Sequence, residues 1–182
     1  MEQAEEFIRA FFDELKDVKR WIERVKRTVL EKGEVVSPFG RHRRLWGIFH
    51  LTRPRAMGTF SETTESYFRY AKAEIFRQAV NALIQGSASD VLSLASIRVQ
   101  RRLKEEGIEA ALVFTHHDAL YLEASPESVV QAVKVLKEEM ERPVPQLNNG
   151  VFPVEWGVGR CWGDESCTEE VLDMARKKGV EL

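Results

Sequence analysis

Cysteine is scarce in this chain: Cys161 and Cys167 are the two among 182 residues. They form no zinc-binding pattern, and free thiols in a reducing compartment are expected rather than a disulfide. Long apolar runs are also missing. No stretch approaches the roughly 20 apolar residues that a membrane-spanning helix needs. No signal peptide opens the sequence, because Met1 leads straight into acidic residues. Together these absences predict a cytoplasmic chain without a membrane partner. Net charge is small as well, at −2, so the whole chain lacks the excess of one sign that marks many nucleic-acid-binding proteins.

That balance hides an asymmetry. Residues 41–104 hold twelve Lys and Arg against four Asp and Glu, a surplus of eight, which the remainder offsets with a deficit of ten. A basic middle in an acidic chain suggests a surface that faces a polyanion. The alternative is a salt-bridged helical face. With 43% apolar residues the chain can bury a real core, and its length suits one domain or a compact piece of a larger one.

Residues 3–31 read as one amphipathic helix, with Phe7, Phe11, Leu15, Val18, Ile22, Val25 and Val29 recurring at steps of three and four. Gly33 is its expected stop. Residues 34–45 read as a small hairpin in which Arg41, Arg43 and Arg44 either pair with phosphates or flank a solvated turn. Residues 47–61 have little periodicity and read as a loop that carries Arg53 and Arg55.

A helix is expected over 62–84. Arg77, Asn81 and Gln85 are spaced four apart, so all three leave one face. Polar groups aligned this way can follow a duplex. Asn and Gln can reach minor-groove acceptors common to all base pairs, and Arg can take a phosphate. An ordinary polar helix face is the other reading. Gly86 is expected to interrupt the helix, with Ser87 as a new N-cap and Asp90 completing a capping box. A second helix then runs to about Glu106.

The most informative stretch is 110–123. Two apolar runs, Ala110–Phe114 and Leu120–Leu122, flank a polar centre. They predict a β-hairpin with His117 and Asp118 at its tip. A carboxylate held on rigid strands yet exposed suits a hard cation such as magnesium. Ser125 and Pro126 then start a helix with Val129, Val130, Val133, Leu136 and Met140 inward. Val151–Val158 is expected as a last strand, with Glu155 toward the hairpin tip. Residues 164–182 read as a polar, helical tail. The predicted fold class is α+β: a small antiparallel sheet of the 110–123 hairpin and the 151–158 strand, packed on long helices.

The residues Arg77, Asn81, Gln85-Gly86, His117-Asp118 and Gly159-Arg160-Cys161-Trp162, in this order and spacing, resemble the C-terminal palm region of family A DNA polymerases. The resemblance covers roughly residues 4–163. It implies residues 1–61 as a fingers-like helix, hairpin and loop, 62–163 as palm, and 164–182 as a tail the family pattern does not require. It implies DNA-directed nucleotidyl transfer with two Mg2+ ions, Asp118 as metal ligand and His117 meeting the primer end. Arg77, Asn81, Gln85, Arg41 and Arg43 would contact DNA. The implied partners are primer–template DNA and a deoxynucleoside triphosphate, and the implied setting is the cytoplasm of a bacterial or phage-infected cell.

Two departures stand out. Ala119 occupies the position of the family's Glu, and Thr115-His116 replaces Gln-Val. No Asp-Tyr-Ser-Gln-Ile-Glu-like motif occurs in the 182 residues, and neither does the triphosphate-binding fingers helix. One carboxylate cannot clamp two metals. The expectation is therefore a subunit of a split polymerase, inactive alone, whose partner chain supplies those parts. A palm-derived module that binds duplex DNA without catalysis is the alternative. A His116-His117-Asp118 hydrolase lacks support, since the other histidines are His42 and His50 and no remote pair completes a site.

Overall fold

The structure, a computed structural model, describes residues 2–52 and 62–182, with side chains from Glu6 onward. It is α+β. In chain order the elements are α1 (Glu2–Glu14), α2 (Lys16–Lys32), β1 (Glu34–Val36), β2 (His42–Arg44), α3 (Gly47–Thr52), α4 (Glu62–Glu105), β3 (Ala110–His116), β4 (Ala119–Ala124), α5 (Val129–Met140) and α6 (Thr168–Lys178). A single 3-10 turn covers Pro145–Leu147. The chain forms two compact units, Met1–Ser87 and Ala88–Leu182. No helix among the described residues is long and apolar enough to cross a membrane, and both cysteines are free.

In the first unit, α2 buries Val25 and Val29 against Val35, Leu45, Ile48 and Ala79. The amphipathic stripe predicted over 3–31 is present, but as two helices. The backbone departs from helical geometry at Leu15 (φ −101, ψ 56). Leu15 N–H still donates to Phe11 O and Lys19 N–H to Leu15 O, so the break is a one-residue kink. The N-terminal half of the stripe stays in solvent: Phe7 is 73% exposed and Phe11 46%.

Gly33 ends α2 in the left-handed region at φ 68, its N–H bonded to Val29 O. A Cβ there would lie 2.5 Å from the Phe49 ring, so glycine is required twice over. β1 and β2 pair antiparallel, Val35 opposite Arg43. The loop expected at 47–61 begins instead as α3, because Ile48, fully buried, anchors a turn that starts with Ile48 N–H bonded to Leu45 O. Arg53 and Arg55 lie outside the described residues.

α4 is continuous through Gly86 and Ser87, which corrects the expected break. Ser87 is buried and its hydroxyl donates back to Leu83 O at 2.6 Å. The hydroxyl therefore satisfies a carbonyl one turn earlier instead of capping a new helix. A helical glycine costs about 1 kcal/mol, less than the apolar burial on either side of it.

In the second unit, Ala95, Val99 and Leu103 of α4 pack with Leu120 of β4 and with Ala132 and Val135 of α5. A polar clamp joins α4 to α5. Arg98 meets the Glu139 carboxylate at 3.3 Å and donates to its carbonyl at 2.8 Å, and Arg102 reaches Glu138 at 2.6 Å. Carboxylates on two sides, Glu106 foremost and then Glu138, hold the Arg102 guanidinium well above its ordinary pKa. α5 starts at Val129, three residues later than expected, because Ser125–Ser128 closes a turn of its own, with Ser128 N–H bonded to Ser125 O.

The expected strand at 151–158 does not form. Val154, Trp156 and Val158 do alternate inward with exposed Glu155 between them. Their backbone partners are not strand β3 or β4: Val154 N–H donates to the Glu141 carboxylate and Val158 N–H to the Thr168 hydroxyl. The sheet of this unit is thus a two-stranded hairpin. Trp156 and Val158 pack instead with Val130 and Val133 of α5 and Val171 and Ala175 of α6, so the polar tail is helical, as expected, and part of the core.

Replacement of Gly33 by Ala is expected to destabilise the first unit by about 1–3 kcal/mol, plus the displacement of Phe49. Gly40→Ala, at φ 79 with open space around it, is expected to show only the backbone cost. Urea denaturation of both variants checks the difference.

Candidate nucleotidyl-transfer hairpin

β3 and β4 pair antiparallel with Leu112 opposite Leu122, Phe114 opposite Tyr121 and His116 opposite Ala119. The register slips between Leu112 and Phe114, so Val113 is a β-bulge. A bulge turns every following side chain to the other face. Leu112, Leu120 and Leu122 face the core of α4 and α5. Phe114 and His116 therefore join Tyr121 on the outer face. Phe114 and Tyr121 stack at 4.5 Å with a 9° interplanar angle.

His117 and Asp118 form the two-residue tip, both exposed. His117 has φ 53, left-handed geometry that is uncommon for a non-glycine residue. Its ring lies 4.2 Å from that of His116. The hairpin reading thus holds at the tip, and Asp118 is exposed to solvent on a two-residue turn. Among the described residues no group of three or more His, Cys, Asp or Glu could hold a metal ion. Asp118 fits a hard cation as one oxygen donor, and the residues described here do not complete the shell. Glu155, expected toward this tip, sits exposed on the segment that did not become a strand.

Trp162 covers part of the hairpin's outer face. Its ring lies 5.4 Å from Phe114, 5.8 Å from His116 and 6.1 Å from Tyr121, edge-on to each. The turn that carries it is closed by Asp164, whose Oδ2 accepts from Arg160 N–H at 2.9 Å and Oδ1 from Ser166 N–H at 3.0 Å. Those two donors, Arg160 first, hold the Asp164 carboxyl below the usual carboxylate range. A depressed folded value means the turn keeps this contribution above the ordinary pKa and loses it only as pH falls through the lowered one. Trp162 stands out in the sequence through its spacing from Gly159, whereas its ring contacts with the hairpin do not.

In the other unit, Arg77, Asn81 and Gln85 are all exposed along α4, as their spacing predicts. Arg77 is already paired: its Nε donates to Glu74 at 3.1 Å and its guanidinium lies 5.7 Å from the Tyr70 ring. The Arg77 hydrogen bond, then that of Gln78, lowers the Glu74 pKa. The i, i+3 spacing of Glu74 and Arg77 is the signal that could have revealed this pair. Arg41 and Arg43 are exposed at and beside β2, and Arg44 lies 5.8 Å over the Trp46 ring.

Strain at the tip has a direct consequence for stability. His117→Val is expected to cost about 1–3 kcal/mol through its positive φ, whereas His117→Gly should cost little. Urea denaturation of the two variants checks it.

The family model for DNA polymerase family A matches residues 1–164. The chain is 32% identical to DNA polymerase I of Bacillus caldotenax over 162 residues, 89% of this chain and 16% of that protein. It is 27% identical over 187 residues to the DNA polymerase of Bacillus phage SP01, 99% of this chain and 18% of that one. The chain thus spans less than a fifth of the length of these relatives. Among solved structures it resembles the POL domain of Pol1 from M. smegmatis in complex with DNA primer-template and dNTP, with a TM-score of 0.63 and 25% identity over 77% of this chain and 22% of that one. Expectation and comparison meet on the same stretch, and the chain belongs to DNA polymerase family A.

Proposed function

We propose that this chain forms the C-terminal palm part of a DNA-directed DNA polymerase and acts in template-directed deoxynucleotidyl transfer. The observation that carries the reading is Asp118, an exposed carboxylate on a structurally anchored hairpin tip in a family A chain. In this reading Asp118 donates oxygen to the catalytic cation and His117 contacts the primer end. Arg77, Asn81 and Gln85 follow the duplex, and Arg41 and Arg43 meet phosphates. Two magnesium ions, when bound, supply an activated primer hydroxyl and charge neutralisation at the leaving pyrophosphate. The second carboxylate and the triphosphate-binding helix come from polymerase sequence outside these 182 residues. The exposed apolar residues Phe7, Ile8 and Phe11 of α1 support a contact with that sequence. Ala119 leaves the site without the auxiliary carboxylate of the family pattern.

The second reading, a duplex-binding module without catalysis, draws on the same lone carboxylate. Asp118→Asn in the assembled polymerase separates the two. It is expected to abolish magnesium-dependent primer extension while duplex binding persists. Near-normal extension would remove Asp118 from the mechanism, and duplex binding without extension by the parent assembly would favour the module.

The ion pair on α4 adds a further expectation. Glu74→Gln releases Arg77 and should tighten duplex binding, and Arg77→Ala should weaken it and lower the salt slope by about one unit. Binding isotherms at several salt concentrations check both. If Arg77→Ala, Asn81→Ala and Gln85→Ala all bind duplex as the parent does, this face of α4 is only structural.

A further inference from the structure

We propose that Trp162 is a positioning residue for the hairpin tip, locked in place by the Gly159–Asp164 turn. The inference rests on the reading of that hairpin as the one that serves nucleotidyl transfer. A two-stranded hairpin has two faces, and only the Leu112, Leu120 and Leu122 face is fixed by the core. The bulge at Val113 puts Phe114 and His116 on the opposite face. Trp162 meets both, and the His116 ring lies against that of His117. A continuous line of ring contacts therefore runs from Trp162 through His116 to the tip.

The turn that holds Trp162 is built to one geometry. A Cβ on Gly159 would lie 1.9 Å from the Asp164 carbonyl oxygen, a separation no side chain can meet. Gly163 has φ 83, and Asp164 N–H donates to Cys161 O. The Asp164 carboxylate ties Arg160 and Ser166 across the turn. The spacing Gly159-x-x-Trp162 thus has a physical reason: the glycine admits the Asp164 backbone, and the tryptophan is delivered to the hairpin. Trp162 is itself 67% exposed. It is a lateral wall and not core, so its removal leaves the folded unit intact and loosens the tip.

The test begins with the 182-residue chain. Imidazole proton resonances of His116 should carry a ring-current shift that disappears in Trp162→Ala and persists in part in Trp162→Phe. Amide exchange at His116 and Ala119 should rise about tenfold or more in Trp162→Ala while α5 amides hold. Gly159→Ala should reproduce these changes with Trp162 present. In the assembled polymerase, with primer–template, deoxynucleotides and magnesium, Trp162→Ala should lower kcat about 10–100-fold at nearly constant KM. Trp162→Phe should restore most of it. Unchanged His116 resonances and tip exchange in a folded Trp162→Ala protein would overturn the proposal. So would unchanged kcat in that variant when Asp118→Asn is inactive. Full activity of both variants would instead overturn the functional reading of the hairpin. If Trp162→Ala does not fold, the wall assignment is wrong, and the parent's His116 shift together with the Trp162→Phe kinetics decides whether a positioning role remains.

Discussion

Everything proposed for Asp118 depends on one physical constraint, the burial of a single face of a two-stranded hairpin. Two strands alone are marginally stable in water at best. Here the inner face is held by Leu112, Leu120 and Leu122 against α4 and α5. Full burial of one such side chain contributes about 1.5–3 kcal/mol; Leu120 is buried and Leu112 and Leu122 are partly buried. Together they offset the cost of keeping His117 in left-handed geometry, about 1–3 kcal/mol. The core can therefore carry a strained tip, and the strain sits where the carboxylate is presented.

The remaining interactions of this unit protect that arrangement. Arg98 and Arg102 clamp α4 to α5 through Glu138 and Glu139, fixing the platform beneath the leucines. Glu139 is nearly buried, at 9% exposure, so its charge is tolerable only because the arginines are there. On the far side, α6 and the segment around Val158 close over α5 through Val171 and Ala175. The family match ends at residue 164, so α6 lies beyond it, yet the Thr168 hydroxyl accepts from Val158 N–H and donates to Glu165 O.

What the sequence made legible follows from where its patterns were unambiguous. Two apolar runs around His117-Asp118 leave little room but a hairpin, and Gly33 marks the end of α2 in sequence as in structure. The bulge at Val113 was not legible, because Ala111-Leu112-Val113-Phe114 is apolar throughout and has no alternation to pin the register. Gly86-Ser87 carried turn chemistry, yet packing on both sides overrode it. Val154, Trp156 and Val158 showed a true period of two, but such a period says which face is inward and not what lies against it. Helices α5 and α6 took the place of a strand partner. The spacing of Arg77, Asn81 and Gln85 was visible, whereas the Glu74 pair that occupies Arg77 was lost in a count of charges.

The central claim is that Asp118 is a ligand of the catalytic cation. An experimental structure of the assembled polymerase with primer–template, deoxynucleoside triphosphate and magnesium tests it most directly. The account predicts a magnesium ion about 2.0–2.1 Å from an Asp118 carboxylate oxygen, with the remaining carboxylate ligands drawn from outside residues 1–182. A fully coordinated magnesium pair with Asp118 in solvent, away from both ions, would contradict it.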